Sequence, residues 1–153
     1  MKKMKKKLTL FFLLLLFSFN NMHAQEVSIK DNKIEINNVP VLRYEKVTSE
    51  QYSFYNLNDD EILLFRYNNN ETPNYSNDDF IVLNFLSNKR KVETKDIEKA
   101  MAGIGWNSKK NITKIINWLL KEKVLTPEGA INPDKLDIFV EKYDGNITNR
   151  TIR

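Results

Sequence analysis

Between Val27 and Val47 the chain repeats one unit: a run that alternates apolar and polar residues, then a pair drawn from Asp and Asn. VSIK is followed by Asp31-Asn32, KIEI by Asn37-Asn38, and VPVLRYEKV comes next. Alternation places the apolar side chains on one face of a strand. Asp and Asn tolerate the positive φ that two-residue hairpin turns require, and such turns join antiparallel neighbours. An antiparallel meander is therefore expected from the first residues of this region. Pro40, near the start of the third run, suits an edge or a strand entry, because it cannot donate to a ladder. QYSFYNL and EILLFRY flank a further turn signal, Asn58-Asp59-Asp60. The polar loop NNNETPNYSND then leads to DFIVLNFL. The reading gives about six strands, within a sheet region spanning residues 25–93.

From Thr94 the apolar spacing becomes helical. Ile97, Ala100, Met101 and Ile104 fall at i, i+3, i+4 and i+7, with Thr94 as N-cap and Gly103 and Gly105 ending the turn. Ile112, Ile115, Ile116, Leu119 and Leu120 form a second stripe after Asn107-Ser108. Asn132-Pro133-Asp134 opens a third helix with a capping amide, a proline at the first helical position and an acid in the first turn. Leu136, Phe139, Val140 and Tyr143 make its buried face, and Gly145 is its stop. No stripe is long enough to be stable alone. Each buried Leu, Ile or Phe contributes roughly 1.5–3 kcal/mol, so the helices pack on each other, on the sheet, or on both. The fold class is α+β: an antiparallel meander followed by a three-helix C-terminal segment over residues 94–146, in one compact domain with the sheet. Residues 147–153 read as a tail.

The N-terminus reads MKKMKKKLTLFFLLLLFSFNNMHAQ. Five lysines, an apolar run from Leu8 to Phe19 and a small residue at Ala24 follow the order of a secretory signal peptide. The run is too short for a spanning helix, which needs roughly 20 apolar residues. Residues 1–24 are expected to be removed, with release to the periplasm or the exterior. The alternative is a leader retained as an anchor. The whole chain has 24 basic and 20 acidic side chains, net +4. All five leader lysines lie in residues 1–24, which hold no acid, so the remainder is close to neutral. The basic average therefore gives no support for a nucleic-acid partner.

The only histidine, His23, lies in the leader, and there is no cysteine. After cleavage, Ser-His-Asp and Cys-His nucleophilic catalysis, the usual zinc ligand sets and the ordinary neutral-pH proton shuttle have no residues to use. GIGW at 103–106 lacks the spacing of a dinucleotide-binding loop and follows a helix. Carboxylates remain: Asp59-Asp60-Glu61 and Asp78-Asp79. Glycosidases need two carboxyls converging across a cleft, which neighbours on one turn do not provide. Asn58-Asp59-Asp60-Glu61 offers hard oxygen donors to calcium, without the alternating ligands and central glycine of an EF-hand. Solvated turn residues are the simpler reading. No catalytic residue, metal site or cofactor is assigned.

NITKIINWLLKEKVLTPEGAI, at 111–131, has the outline of a helix-turn-helix reader. Lys89, Arg90, Lys91, Lys109, Lys110, Lys114 and Lys121 form a candidate basic surface patch beside the second helix, where Trp106 or Trp118 would be placed to stack on a base. A recognition helix presents several base-reading side chains from its start, and Ser108-Lys109-Lys110-Asn111 offers one, Asn111. A solvated lysine-rich face, or contact with an anionic envelope surface or an acidic protein, fits better than DNA. Tyr44, Tyr52, Tyr55, Tyr67 and Tyr75 are candidate aromatic contacts where they fall on the outward face of the sheet, and Trp106 is a further aromatic candidate. For most of the tyrosines core packing is the simpler reading.

NWLLKEKVL, a turn with Gly129, and INPDKLDIFVEKY resemble the C-terminal part of uncharacterised exported proteins of Bacteroidetes. These similarly carry a lysine-rich leader ending in Ala-Gln and a strand-turn-strand section such as IKDNKIEINNVPV. The resemblance implies export and an α+β architecture and brings no catalytic positions. The expected role is a non-enzymatic envelope protein that binds a protein or a surface. A carboxylate-based hydrolase, a calcium-binding protein and a nucleic-acid binder are the alternatives.

Overall fold

The computed structural model describes residues 25–69, 76–103 and 108–150. Among these residues seven strands form one sheet: β1 (Val27–Lys30), β2 (Lys33–Ile36), β3 (Val39–Lys46), β4 (Gln51–Tyr55), β5 (Glu61–Asn68), β6 (Phe80–Phe85) and β7 (Arg90–Thr94). They are hydrogen-bonded in chain order, each pair antiparallel, so the sheet is a pure meander. The Asp/Asn pairs set its first two turns. Asp31, Asn32, Asn37 and Asn38 all have positive φ, between 46° and 64°. That is the geometry a two-residue hairpin with right-handed strand twist demands.

The register sorts the side chains by face. Tyr52, Phe65, Leu83 and Val92 stand in one cross-strand row, and Phe54, Leu63 and Phe85 in the next. All of them are buried. Shifting by one residue gives the opposite face, with Ser53, Leu64, Asn84 and Lys91 in line. Two register shifts, at Ile34/Glu35 and Phe54/Tyr55, interrupt the ladder.

Among the described residues four α-helices follow: α1 (Ile97–Ala100), α2 (Ser108–Lys121), α3 (Pro133–Tyr143) and α4 (Ile147–Arg150). The first three pack on one face, with α2 over the β1 side and α3 beside β7, and α4 lies against β7. Ile112, Ile115, Ile116 and Leu119 of α2 and Leu136 and Phe139 of α3 join the strands in a single core. Asn132 caps α3 as its sequence indicates, its side chain accepting from the Lys135 amide at 3.2 Å. Between α2 and α3 the chain makes a short antiparallel bridge, Leu125 to Ile131, around Gly129. Gly129 has φ +86°, and a Cβ there would sit 2.7 Å from the Val41 carbonyl oxygen, so only glycine fits the approach to β3.

Three expectations need correction. RKVET, within the expected sheet region but outside its six expected strands, is the seventh strand: Val92 and Thr94 alternate with charged neighbours, and Lys89 takes φ 53° in the preceding turn. Thr94 therefore ends a strand and does not cap a helix at its own position; its hydroxyl accepts from the Asp96 amide. The first helix is a single turn, since Met101 already has extended backbone, φ −119° and ψ 134°. Ile104 and Gly105 lie outside the described residues. Finally, residues 147–150 are not a loose tail: Thr148 binds the Glu93 carboxylate through its amide, at 2.7 Å, and through its hydroxyl, at 2.6 Å. Residues 1–24, including the leader and its cleavage site, lie outside the described residues, and no described helix is long and apolar enough to cross a membrane.

Candidate functional site

An open groove of about 810 Å³ lies where α1, α2 and α3 meet. Its floor is built by the amphipathic spacing of two helices. Trp118 of α2 packs edge-on against Tyr143 of α3, ring centroids 5.0 Å apart, and against Phe139 at 4.9 Å. Lys114, Asn117 and Lys121 rise along the wall formed by α2, at the i, i+3, i+7 spacing of one helix face. Lys99 arrives from α1 and Lys142 from α3. Both ammonium groups approach the same aromatic ring, Lys142 Nζ at 4.7 Å and Lys99 Nζ at 5.7 Å from the centroid of Tyr143. A ring face attracts cations through its quadrupole, so Tyr143 gathers two like charges that would otherwise separate.

Acidic groups balance part of this charge. Glu122 pairs with Lys142 at 2.9 Å and accepts the Tyr143 hydroxyl at 2.5 Å. Burial pushes the Glu122 carboxyl up, but the bonds from Tyr143 and Lys142 and the Lys142 charge outweigh it and hold the group below the ordinary glutamate value. The Lys142 ammonium is correspondingly raised by the Tyr143 and Glu122 bonds. Asp96 and Glu98 line the α1 side. Lys99 and Lys121 make no salt bridge among the described residues. In the floor, Trp118 Nε1 is buried and has no hydrogen-bond partner among the described residues, a costly state for a polar atom.

The seven residues of the candidate basic patch do not form one patch. Lys89 is exposed at the β6–β7 turn. Arg90 is held by Asp137 of α3 at 2.9 Å, and Lys91 by Glu93 at 2.7 Å. Lys109 and Lys110 stand exposed on the first turn of α2. Lys114 donates to the Glu98 carbonyl at 2.6 Å and the Met101 carbonyl at 3.1 Å, and so closes the C-terminal end of α1. Lys121 alone of the seven reaches the groove without an internal hydrogen bond or salt bridge among the described residues. Asn111, the one base-reading side chain at the start of α2, is fully buried: it accepts from the Ala102 amide at 2.8 Å and donates to the Gly103 carbonyl at 3.2 Å.

The aromatic candidates separate by face. Tyr44, Tyr52 and Tyr67 are core residues at 6, 0 and 3% exposure and are not available as surface contacts. Tyr55 lies on the outward face beneath the Arg43 guanidinium, 4.2 Å from its ring centroid. Tyr75 and Trp106 lie outside the described residues. Among the carboxylates, Asp59 pairs with Arg43 at 2.9 Å and Asp60 accepts from the Asn56 side chain at 2.9 Å. Asp79 corrects the reading of solvated turn acids: it is buried and accepts the Tyr67 hydroxyl, whose pKa is raised by burial and by that bond. Among the described residues no three or more acids gather into an ion-binding group.

Sequence reasoning missed Lys99, Lys142, Tyr143 and Glu122 as site residues. The α2 wall was legible from helical spacing. The other walls arrive through packing of helices that the spacing does not orient. Neither a family model, nor a curated protein, nor a solved structure matches the chain.

Proposed function

We propose that this chain is an exported, non-enzymatic module of the cell envelope that binds an acidic protein segment or an anionic surface in the groove between α1, α2 and α3. The observation that carries the proposal is the convergence of Lys99, Lys121 and Lys142 over the Trp118–Tyr143 floor. An ammonium rim above aromatic rings suits a carboxylate-rich or phosphate-rich ligand with some apolar area. The order of the leader and the resemblance to exported Bacteroidetes proteins support export. A chain without histidine or cysteine after Ala24 has few means of neutral-pH catalysis, which supports binding over turnover. The internal engagement of Asn111 and Lys114 argues against readout of duplex DNA.

The test is affinity capture from an envelope extract by the native chain and by Lys99→Glu/Lys121→Glu, at low and high salt. A ligand retained by the native chain at low salt only, and not by the variant, supports the reading. Equal retention by both removes the groove from it.

A further inference from the structure

The two edges of the sheet are treated differently. At the β7 edge the chain after α3 runs alongside the strand: the Gly145 amide donates to the Glu93 carbonyl at 2.6 Å, and the Glu93 amide donates to the Asp144 side chain at 2.8 Å. That edge is occupied. At the β1 edge the pairing with β2 uses alternate residues, since the Asn37 amide donates to the Glu26 carbonyl and Ser28 and Lys30 face Glu35 and Lys33. The backbone groups of Val27 and Ile29 therefore point away from the sheet, and no described residue hydrogen-bonds to them. Unpaired edges invite another strand.

We propose that β1 pairs antiparallel with β1 of a second copy of this chain, about a twofold axis at Ser28. In this register Val27 meets Ile29 of the other copy and each pair exchanges two backbone bonds, four in all by symmetry. Val27 and Ile29 already pack against the core, so their pairing continues the apolar face from one copy to the next. Glu26 then stands opposite Lys30 of the other copy, twice over. Glu26 makes no salt bridge among the described residues, while Lys30 is exposed and meets Glu35 of its own sheet at 2.8 Å. Lysine at an edge ordinarily deters pairing; here an acid four residues earlier answers it in this register only. Sliding by two residues places Glu26 opposite Ser28 or Asn32 and loses both charge pairs. The occupant favoured by this complementarity is a second copy.

The chain lacks cysteine, so single-cysteine variants report the pairing. Ser28→Cys places the two thiols at a pair where Cα atoms lie about 4.5 Å apart, within disulfide reach. With the full-length gene expressed and the protein purified in the form the cells accumulate, Ser28→Cys should cross-link at least about tenfold faster than Ser87→Cys on the exposed β6–β7 turn. By sedimentation, Lys30→Glu should weaken the dimer at least about tenfold, and Glu26→Lys/Lys30→Glu should restore it. A native chain that is monomeric at millimolar concentration, or a Ser28→Cys rate equal to that of Ser87→Cys, overturns the proposal. So does a monomer whose Val27 and Ile29 amides gain exchange protection only when a foreign strand peptide is added.

Discussion

Replacing Asn111 by alanine separates two roles for one side chain. In the structure it is fully buried at the start of α2 and spans from the Ala102 amide to the Gly103 carbonyl, at 2.8 and 3.2 Å. Those two bonds fix how the end of α1 meets α2. Ala102 and Gly103 are exposed, so water can reach their backbone once the amide is gone. Each bond is therefore charged at its net value of about 1 kcal/mol, not at the full cost of an orphaned buried group. The loss comes to about 2 kcal/mol, or about 7 °C in melting temperature for a domain of this size. Asn111→Asp keeps the acceptor for Ala102 but sets a carboxylate against the Gly103 carbonyl, and should do no better than alanine. Urea unfolding followed by far-ultraviolet circular dichroism measures both. A loss below about 0.5 kcal/mol in both variants, the range of ordinary surface substitutions, would refute the structural role. Loss of duplex DNA binding with stability unchanged would return Asn111 to the base-reading role.

Two further outcomes follow from the geometry. Gly129→Ala combines a left-handed backbone with a Cβ at 2.7 Å from the Val41 oxygen, and is expected to cost about 2–4 kcal/mol by urea unfolding; an unchanged midpoint would mean that the turn does not seat against β3. Burial raises Glu93, but its bonds from Lys91 and Thr148 and the Lys91 charge win and hold it below its ordinary value of 4.5. A carboxyl depressed in the folded state adds stability that is present above the unfolded value and is lost as pH falls through the folded one. Stability should therefore drop below pH 4.5, and Glu93→Gln should be less stable at pH 7 and flatter in acid; parallel curves for the two proteins would contradict this.

The elements legible in the sequence were those that depend on neighbours along the chain. Asp31-Asn32 and Asn37-Asn38 announced their hairpins because positive φ is a local requirement. Asn132-Pro133 announced α3 because capping is local too. RKVET stayed hidden because five residues with three charges carry little apolar alternation, and its strand state depends on pairing with β6. The stripe from Ile97 overpredicted a helix: Ala100 and Met101 are indeed buried, but they are buried from one turn and an extended residue. The groove was half legible. Lys114, Asn117 and Lys121 share a face by spacing alone, whereas Lys99 and Lys142 reach Tyr143 from two other elements. The tyrosine faces became readable only with the register, in which a one-residue slip exchanges core for surface.

The proposed binding of acidic ligands rests on the lysine rim over Trp118 and Tyr143. The most direct measurement is a tryptophan-fluorescence titration of the native chain with an oligoglutamate peptide and with anionic vesicles, repeated in Lys99→Glu/Lys121→Glu. A saturable change is expected in the native chain, weakening as salt rises and absent from the variant. A flat titration with both probes, or the same curve in the variant as in the native chain, would contradict it.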